Sequence, residues 1–399
     1  MRRLALLVLA GLLGAAGGAG AVLAVQEASP GPTTPAAPTT VPNPVETPLP
    51  VATTNLLLAW TPGHLPDGLD AVAAAVPGVR FTAVMRGGNL DLLASTDADG
   101  QTVDTVADGW AIPIEAVAVD PTALAAVAPA ADQATVAALA AGQALLGATS
   151  AALRRIGPGG TLTFRTGVVT VAAVVPDEVI GAAEVAVDVA TGQQLGFDTP
   201  RALLIAHDGD RAALEAALAT AIPAGTPVRF RATGETPYLR AADAVLPQSI
   251  VKATFGEFAY QPGGDGDRDV TIDPDWVAAN IVTESVPVLG EVRCHQAIVA
   301  ALRGAMEEVE AAGLADAVPV GGYDGCFVSR LVRAGGSFSR HAWGAAFDLN
   351  YANNPTSTSS IQDPELVAIL QRWGFTWGGE WLVPDPAHFE FVTPPLPGG

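Results

Sequence analysis

Cysteine and lysine are almost absent from this 399-residue chain, which has two cysteines, Cys294 and Cys326, and one lysine, Lys252. Two thiols exclude a disulfide-rich miniprotein and a four-cysteine zinc site, and leave room for a single bridge. Basic residues are scarce too, 20 against 41 acidic ones, for a formal net charge of −21. A field of that sign repels phosphate backbones and argues against a nucleic-acid partner. Charged residues make up 15% and apolar ones 49%, so global disorder is excluded and several buried cores are within reach. At this length two or three folding units are expected.

The N-terminus is patterned for export. Met1-Arg2-Arg3 precedes 22 uncharged residues, Leu4 to Val25, with small residues at Ala19 and Ala21 for a cleavage site. The run is also long enough to cross a bilayer. Residues 1–28 are therefore a signal peptide or a membrane anchor, and everything downstream is extracytoplasmic in either case. Pro30 to Pro50 holds eight prolines in 21 residues, so residues 29–54 read as an extended, semi-rigid stalk. The expected location is the cell envelope, membrane-anchored or secreted.

Residues 55–255 form the next block. Leu56 to Trp60 suits a strand, Asp67 to Val76 a helix, Val79 to Val84 and Leu90 to Leu93 two further strands. The pattern recurs at Ala202 to Ala206, Asp210 to Ile222 and Val228 to Arg231. Short helical runs between Pro121 and Leu153, then strands at Thr161 to Phe164 and Val168 to Val175, lie between the two. Two βαβ halves split by an insertion fit a separate α/β domain of split ferredoxin-like layout. Nothing in this block forms a catalytic constellation: His64 and His207 are isolated. Ser249-Ile250-Val251-Lys252 matches S-x-x-K, but a serine mechanism of that type also needs K-T-G, and no second lysine exists. The block is loosely similar to extracytoplasmic domains of transport-type permeases, and no function is inferred from that.

Pro262 to Asp267 is a turn-rich break, and residues 262–399 are read as the last domain, α+β with a small antiparallel sheet. Asp273-Pro274 starts a helix; Ile298, Leu302, Ala305 and Val309 share one face of another, and Gly313 suits its end. Asp363-Pro364-Glu365 opens a third, closed by Gly374, with strands at Phe375 to Trp377 and His388 to Val392. Outside the cytoplasm Cys294 and Cys326 are expected to pair, a loop closure contributing roughly 3–4 kcal/mol. His341, Asp348 and His388 offer two imidazoles and a carboxylate, the donor set of an open catalytic zinc. Asp385 stands three residues before His388, close enough to accept a proton. H-E-x-x-H is absent.

Four motifs carry a family resemblance. Ser339, His341, Gly344, Ala346 and Asp348 match S-x-H-x-x-G-x-A-x-D; Trp377 to Trp381 match W-G-G-x-W, and Asp385 to Glu390 match [DE]-x-x-H-F-E. Cys326 to Arg333 is similar to C-[FY]-x-x-R-x-x-R. From about Ile272 to Thr393 the chain resembles the VanY-type D-alanyl-D-alanine carboxypeptidases, zinc peptidases that include L-alanyl-D-glutamate endopeptidases. The resemblance implies Zn2+ held by His341, Asp348 and His388, with Asp385 as general base and Glu380 as its weaker rival. It implies Arg330, rather than Arg333, as the oxyanion-stabilising arginine. Ser339 and Trp381 would line the substrate cleft, and Glu390 would orient a ligand. His295 is read as structural, and Trp373 and Trp377 as core and cleft walls. The implied substrate is a peptidoglycan peptide. The alternatives are endopeptidase cleavage, a non-catalytic wall-binding module, and a tethered interaction protein working through residues 55–255.

Overall fold

A computed structural model describes residues 55–392 except 198, 265 and 333–335. The segments expected to serve as export signal and stalk, and Arg333, lie outside the described residues. No helix among the described residues is long and apolar enough to cross a membrane.

One large sheet dominates the first part. Its strands are β1 (Asn55–Trp60), β2 (Val79–Thr96), β3 (Thr102–Thr105), β4 (Ile112–Ala118), β5 (Gln143–Gly147), β6 (Thr161–Phe164), β7 (Gly167–Val175), β8 (Val185–Val187), β9 (Pro200–His207) and β10 (Arg229–Ala232). The order is β10-β1-β9-β2-β4-β8-β5-β7-β6, and β6 pairs again with β2, which closes the second half into a barrel. In the first half the two βαβ units interleave as β10-β1-β9-β2, with every pairing antiparallel. That interleaving is the split βαβ arrangement expected of the repeated pattern. Elsewhere only β4–β8 and β5–β7 are parallel, so the sheet is mixed and mostly antiparallel.

Alternation along β1 explains how both faces of the first half are buried. Leu57 and Ala59 join Leu203, Ile205, Leu214 and Leu218 beneath helices Leu69–Ala74 and Arg211–Ala221. Leu58 and Trp60 point the other way, towards Leu124 and Val136. Asp210 caps the longer helix by accepting from Ala213 N at 2.8 Å. The strands expected at Val79 to Val84 and Leu90 to Leu93 are one 18-residue strand. Gly87 and Gly88 do not interrupt it; Gly88 is where Phe197 packs, since a Cβ there would lie 2.7 Å from that ring's Cβ. β2 thereby passes from the open half into the barrel, whose interior is filled by Leu92, Ile114, Leu162, Phe164 and Val171.

Pro262 to Asp267 connects two strands that pair with each other, β11 (Tyr260–Gln261) and β12 (Thr271–Ile272). The hairpin β13 (Ile281–Val286) and β14 (Gly290–His295) follows, then the helix Gln296–Ala311. Cys294, at the end of β14, is bonded to Cys326 with 5.3 Å between their Cα atoms. β15 (Ala346–Asp348), β16 (Phe375–Trp377) and β17 (His388–Phe391) make the expected small antiparallel sheet, ordered β15-β17-β16. Helix Pro364–Arg372 packs Leu366, Ile369 and Leu370 behind it. The core of this part also contains Val251, Phe255, Phe258 and Tyr260, from the helix Gln248–Phe255 and the segment after it. All described residues belong to a single compact unit.

Candidate metal centre

Three short elements bring the distant donors together. Ser339 caps a single 3₁₀ turn, Arg340–Trp343, which presents His341. Gly344 then turns the chain into β15 at φ +62°; a side chain there would meet His295 N at 2.7 Å. β15 ends on Asp348, whose register partner across the sheet is His388, the first residue of β17. Direct cross-strand partners have neighbouring side chains, so this pairing alone joins two donors 40 residues apart. The alternate residues Phe347 and Phe389 stack in the core at 5.6 Å, which keeps Asp348, His388 and Glu390 on the opposite face.

The donor atoms form a nearly equilateral triangle. His341 Nε2 lies 3.1 Å from Asp348 Oδ1 and 3.2 Å from His388 Nδ1, and His388 Nδ1 lies 3.1 Å from the same oxygen. His341 Nδ1 is 2.8 Å from the carbonyl of Cys326, which can only accept. The proton therefore sits on Nδ1, and the Nε2 lone pair faces the triangle. At the far side of the second ring, His388 Nε2 stands 3.6 Å from Glu390 Oε2, within ion-pair reach. That oxygen is buried and has no hydrogen-bond partner. Two nitrogen lone pairs and a carboxylate oxygen converging at this spacing repel one another unless a proton or a metal cation lies among them. These residues fit a zinc ion.

The electrostatics favour positive charge within the triangle. Burial works against ionisation of Asp348, yet its hydrogen bonds to His341 and His388 hold its carboxyl far below the usual carboxylate range. Burial likewise opposes charge on His388, but the bond to Asp348 and the carboxylate of Glu390 outweigh it and raise its pKa to about 9. Glu390 is held low against burial by His388 and by the buried guanidinium of Arg340.

The other expected residues fall at stated places around the triangle. Asp385 is half-buried at the turn before β17; its Oδ1 accepts from Thr356 Oγ1 at 3.0 Å and its carbonyl accepts from His388 N at 3.0 Å. It is not one of the clustered donors. Gly378 packs on this turn so closely that a Cβ would meet Asp385 O at 2.6 Å and His388 Cβ at 3.2 Å. Arg330 reaches Asp348 Oδ2 at 3.4 Å with 29% of its side chain exposed. The Trp381 ring lies 5.0 Å from that of His388. Ser339 is buried, and its hydroxyl accepts from His341 N at 3.4 Å, which gives it a part in presenting His341. His295 is structural: it accepts from Ala297 N and donates to Phe255 O.

Sequence reasoning passed over three contributors. The Cys326 carbonyl sets the His341 tautomer. Arg340, inside the first motif, is buried beside Glu390 and donates to Leu246 O at 2.5 Å. The Val245 amide donates to Glu390 Oε1 at 3.2 Å. Only Arg340 carried a signal, a fixed cation inside the motif that supplies two of the donors. The S-x-x-K stretch is no site: Ser249 and Lys252 are wholly buried. Ser249 donates to Ala182 O, and Lys252 pairs with Glu184 and Glu257 beside Arg154.

By its donor set this is a cluster that could hold a metal ion. Residues 333–391 match the family described as D-alanyl-D-alanine carboxypeptidase. The resemblance carried by the motifs is thus shown for the C-terminal segment, and it supports a peptidase. The periplasmic region of MacB from Actinobacillus actinomycetemcomitans is similar over 45% of this chain and 89% of that one, with 9% identity and a TM-score of 0.31. No curated protein matches the chain.

Proposed function

We propose that the protein is an exported zinc peptidase that hydrolyses peptide bonds of peptidoglycan stem peptides, of the D-alanyl-D-alanine carboxypeptidase type. The observation that carries this reading is the His341–Asp348–His388 triangle, with the His341 ring bonded from behind to the Cys326 carbonyl and the His388 ring facing the Glu390 carboxylate at 3.6 Å. A zinc ion held there would supply an acidified water, with pKa lowered towards about 7, and a Lewis acid for the scissile carbonyl. Asp385 is assigned the proton transfers: it takes the proton of the attacking water and returns it to the leaving amine. Thr356 holds one of its oxygens, which leaves the other for that task. Arg330, partly exposed beside Asp348, is assigned the stabilisation of the oxyanion of the tetrahedral intermediate. Trp381, partly exposed beside His388, is assigned to the cleft wall. The basic, apolar N-terminus and the proline-rich segment support action at the cell envelope.

Aspartate rather than glutamate at position 385 favours a second reading, cleavage inside the stem at an L-Ala-D-Glu-type bond. Mass spectrometry of products from stem pentapeptide and intact muropeptides separates the two. Loss of terminal D-Ala, abolished by chelator and by His388→Ala, is the expected result. Internal cleavage under the same controls establishes the endopeptidase. No metal-dependent product from either substrate would overturn the enzyme reading in favour of a wall-binding module.

A further inference from the structure

Trp381 packs on His388 and donates its own main-chain N–H to Gly378 O at 3.1 Å, and its two neighbours in the chain are held from outside the C-terminal part. Arg229, on β10, donates through Nη2 to Glu380 O at 2.9 Å and through Nη1 to Asp243 Oδ1 at 2.6 Å. The other carboxylate oxygen of Asp243 accepts from Leu382 N at 2.7 Å. The two main-chain contacts therefore bracket Trp381, one on the residue before it and one on the residue after. Arg231 stands 3.8 Å from the same Asp243 oxygen that Arg229 binds, and the Asp243 side chain is only 10% exposed. The Leu382 side chain packs against the core shared by Leu58, Trp60 and Leu204. A docking contact chosen for adhesion alone could engage any exposed side chain. Here a nearly buried carboxylate and the arginine it binds are committed to the backbone on either side of one indole, the carboxylate to Leu382 N and Arg229 to Glu380 O.

We propose that Asp243 and Arg229 are positioning residues that fix Trp381 against His388, so that the ferredoxin-like half sets one wall of the substrate cleft. The inference rests on the peptidase reading for its consequence in catalysis, and on geometry alone for the pinning of Trp381. Charge-assisted hydrogen bonds of this kind are among the stronger ones, and their loss releases local opening that the rest of the fold does not feel.

The test compares the full chain with Asp243→Ala, Arg229→Met and Trp381→Ala. Hydrogen exchange of the segment 378–384 is expected to rise about tenfold in both clamp variants, with the helix Gln296–Ala311 unchanged. On stem peptide, each clamp variant is expected to raise KM about five- to tenfold with kcat nearly constant. In a Trp381→Ala background the same substitutions should add nothing to KM. Unchanged exchange at 378–384 in two folded variants would overturn the proposal. Faster exchange with fully additive effects on KM would overturn it as well, by reducing the pair to a structural contact. If the wild-type chain cleaves no stem peptide and binds no zinc, the peptidase reading fails by that result. Hydrogen exchange then decides the pinning of Trp381 alone.

Discussion

Replacing Glu390 by glutamine isolates what the carboxylate behind His388 contributes. Glutamine keeps the size of the side chain and an oxygen for the Val245 amide, which now binds Oε1 at 3.2 Å. The other position becomes an NH₂ facing His388 Nε2, where Glu390 Oε2 now stands at 3.6 Å. Two donors then oppose each other. Either His388 moves its proton to Nδ1, into the centre of the triangle, or the amide turns away and the ring loses its orienting partner. Both outcomes damage a nitrogen that must offer a lone pair. Losing such an outer partner typically weakens metal binding by about 10–100-fold, equivalent to about 1.4–2.7 kcal/mol. Zinc affinity of the metal-free full chain, measured by competition with a chromophoric chelator, should fall within that range, with a thermal unfolding scan to confirm that the variant is folded. A folded Glu390→Gln protein whose zinc affinity stays within twofold of wild type would refute the argument that this carboxylate orients His388.

Three other variants test separate links. Gly378→Ala inserts a Cβ 2.6 Å from Asp385 O and 3.2 Å from His388 Cβ, so turnover should drop at least tenfold in a folded protein; wild-type activity would disprove the close packing. Cys294→Ser with Cys326→Ser removes a bridge across a sequence separation of 32 and should cost about 3–4 kcal/mol in denaturant unfolding. It should also weaken zinc binding, because the Cys326 carbonyl fixes the His341 tautomer. Burial tends to raise the pKa of Glu257, but Lys252 and Arg154 outweigh it and hold the carboxyl below its ordinary value. A depressed folded pKa adds stability that is fully present above the unfolded value of about 4.3 and is lost as pH falls through the folded value. Unfolding free energy should therefore decline below about pH 4.5 in the wild type, and Glu257→Gln should flatten part of that limb; parallel curves would contradict the pairing.

The candidate site was legible because its parts are local. Ser339 to Asp348 spans one 3₁₀ turn, one glycine and one short strand, so residue spacing within the motif encodes most of the geometry. The split βαβ units were legible for the same reason, each having an apolar strand next to a capped or amphipathic helix. What stayed hidden is of two kinds. β4, β5 and β8 lie in alanine-rich stretches buried on both faces, where neither period 2 nor period 3.6 stands out. The second kind is long-range: Asp243 to Leu382, Val245 to Glu390 and Arg229 to Glu380 are contacts across 139, 145 and 151 residues. No local pattern announces an amide or a carboxylate whose partner is that far along the chain.

Those long-range contacts change what a truncation of this protein would mean. If residues 55–251 were an accessory tether, removing them should leave a working peptidase. In the folded chain that deletion takes away the Val245 amide from Glu390 and the Leu246 carbonyl from Arg340, leaving two oppositely charged buried groups short of partners. It also cuts into the helix Gln248–Phe255, whose last residue packs edge-on against His295 at 5.1 Å and Phe391 at 6.5 Å. Leaving a buried charge without its partner costs several kcal/mol, comparable to the whole margin of a small domain. Loss of turnover on deletion would then report unfolding, and point variants at Asp243 and Arg229 are the perturbations that separate positioning from folding.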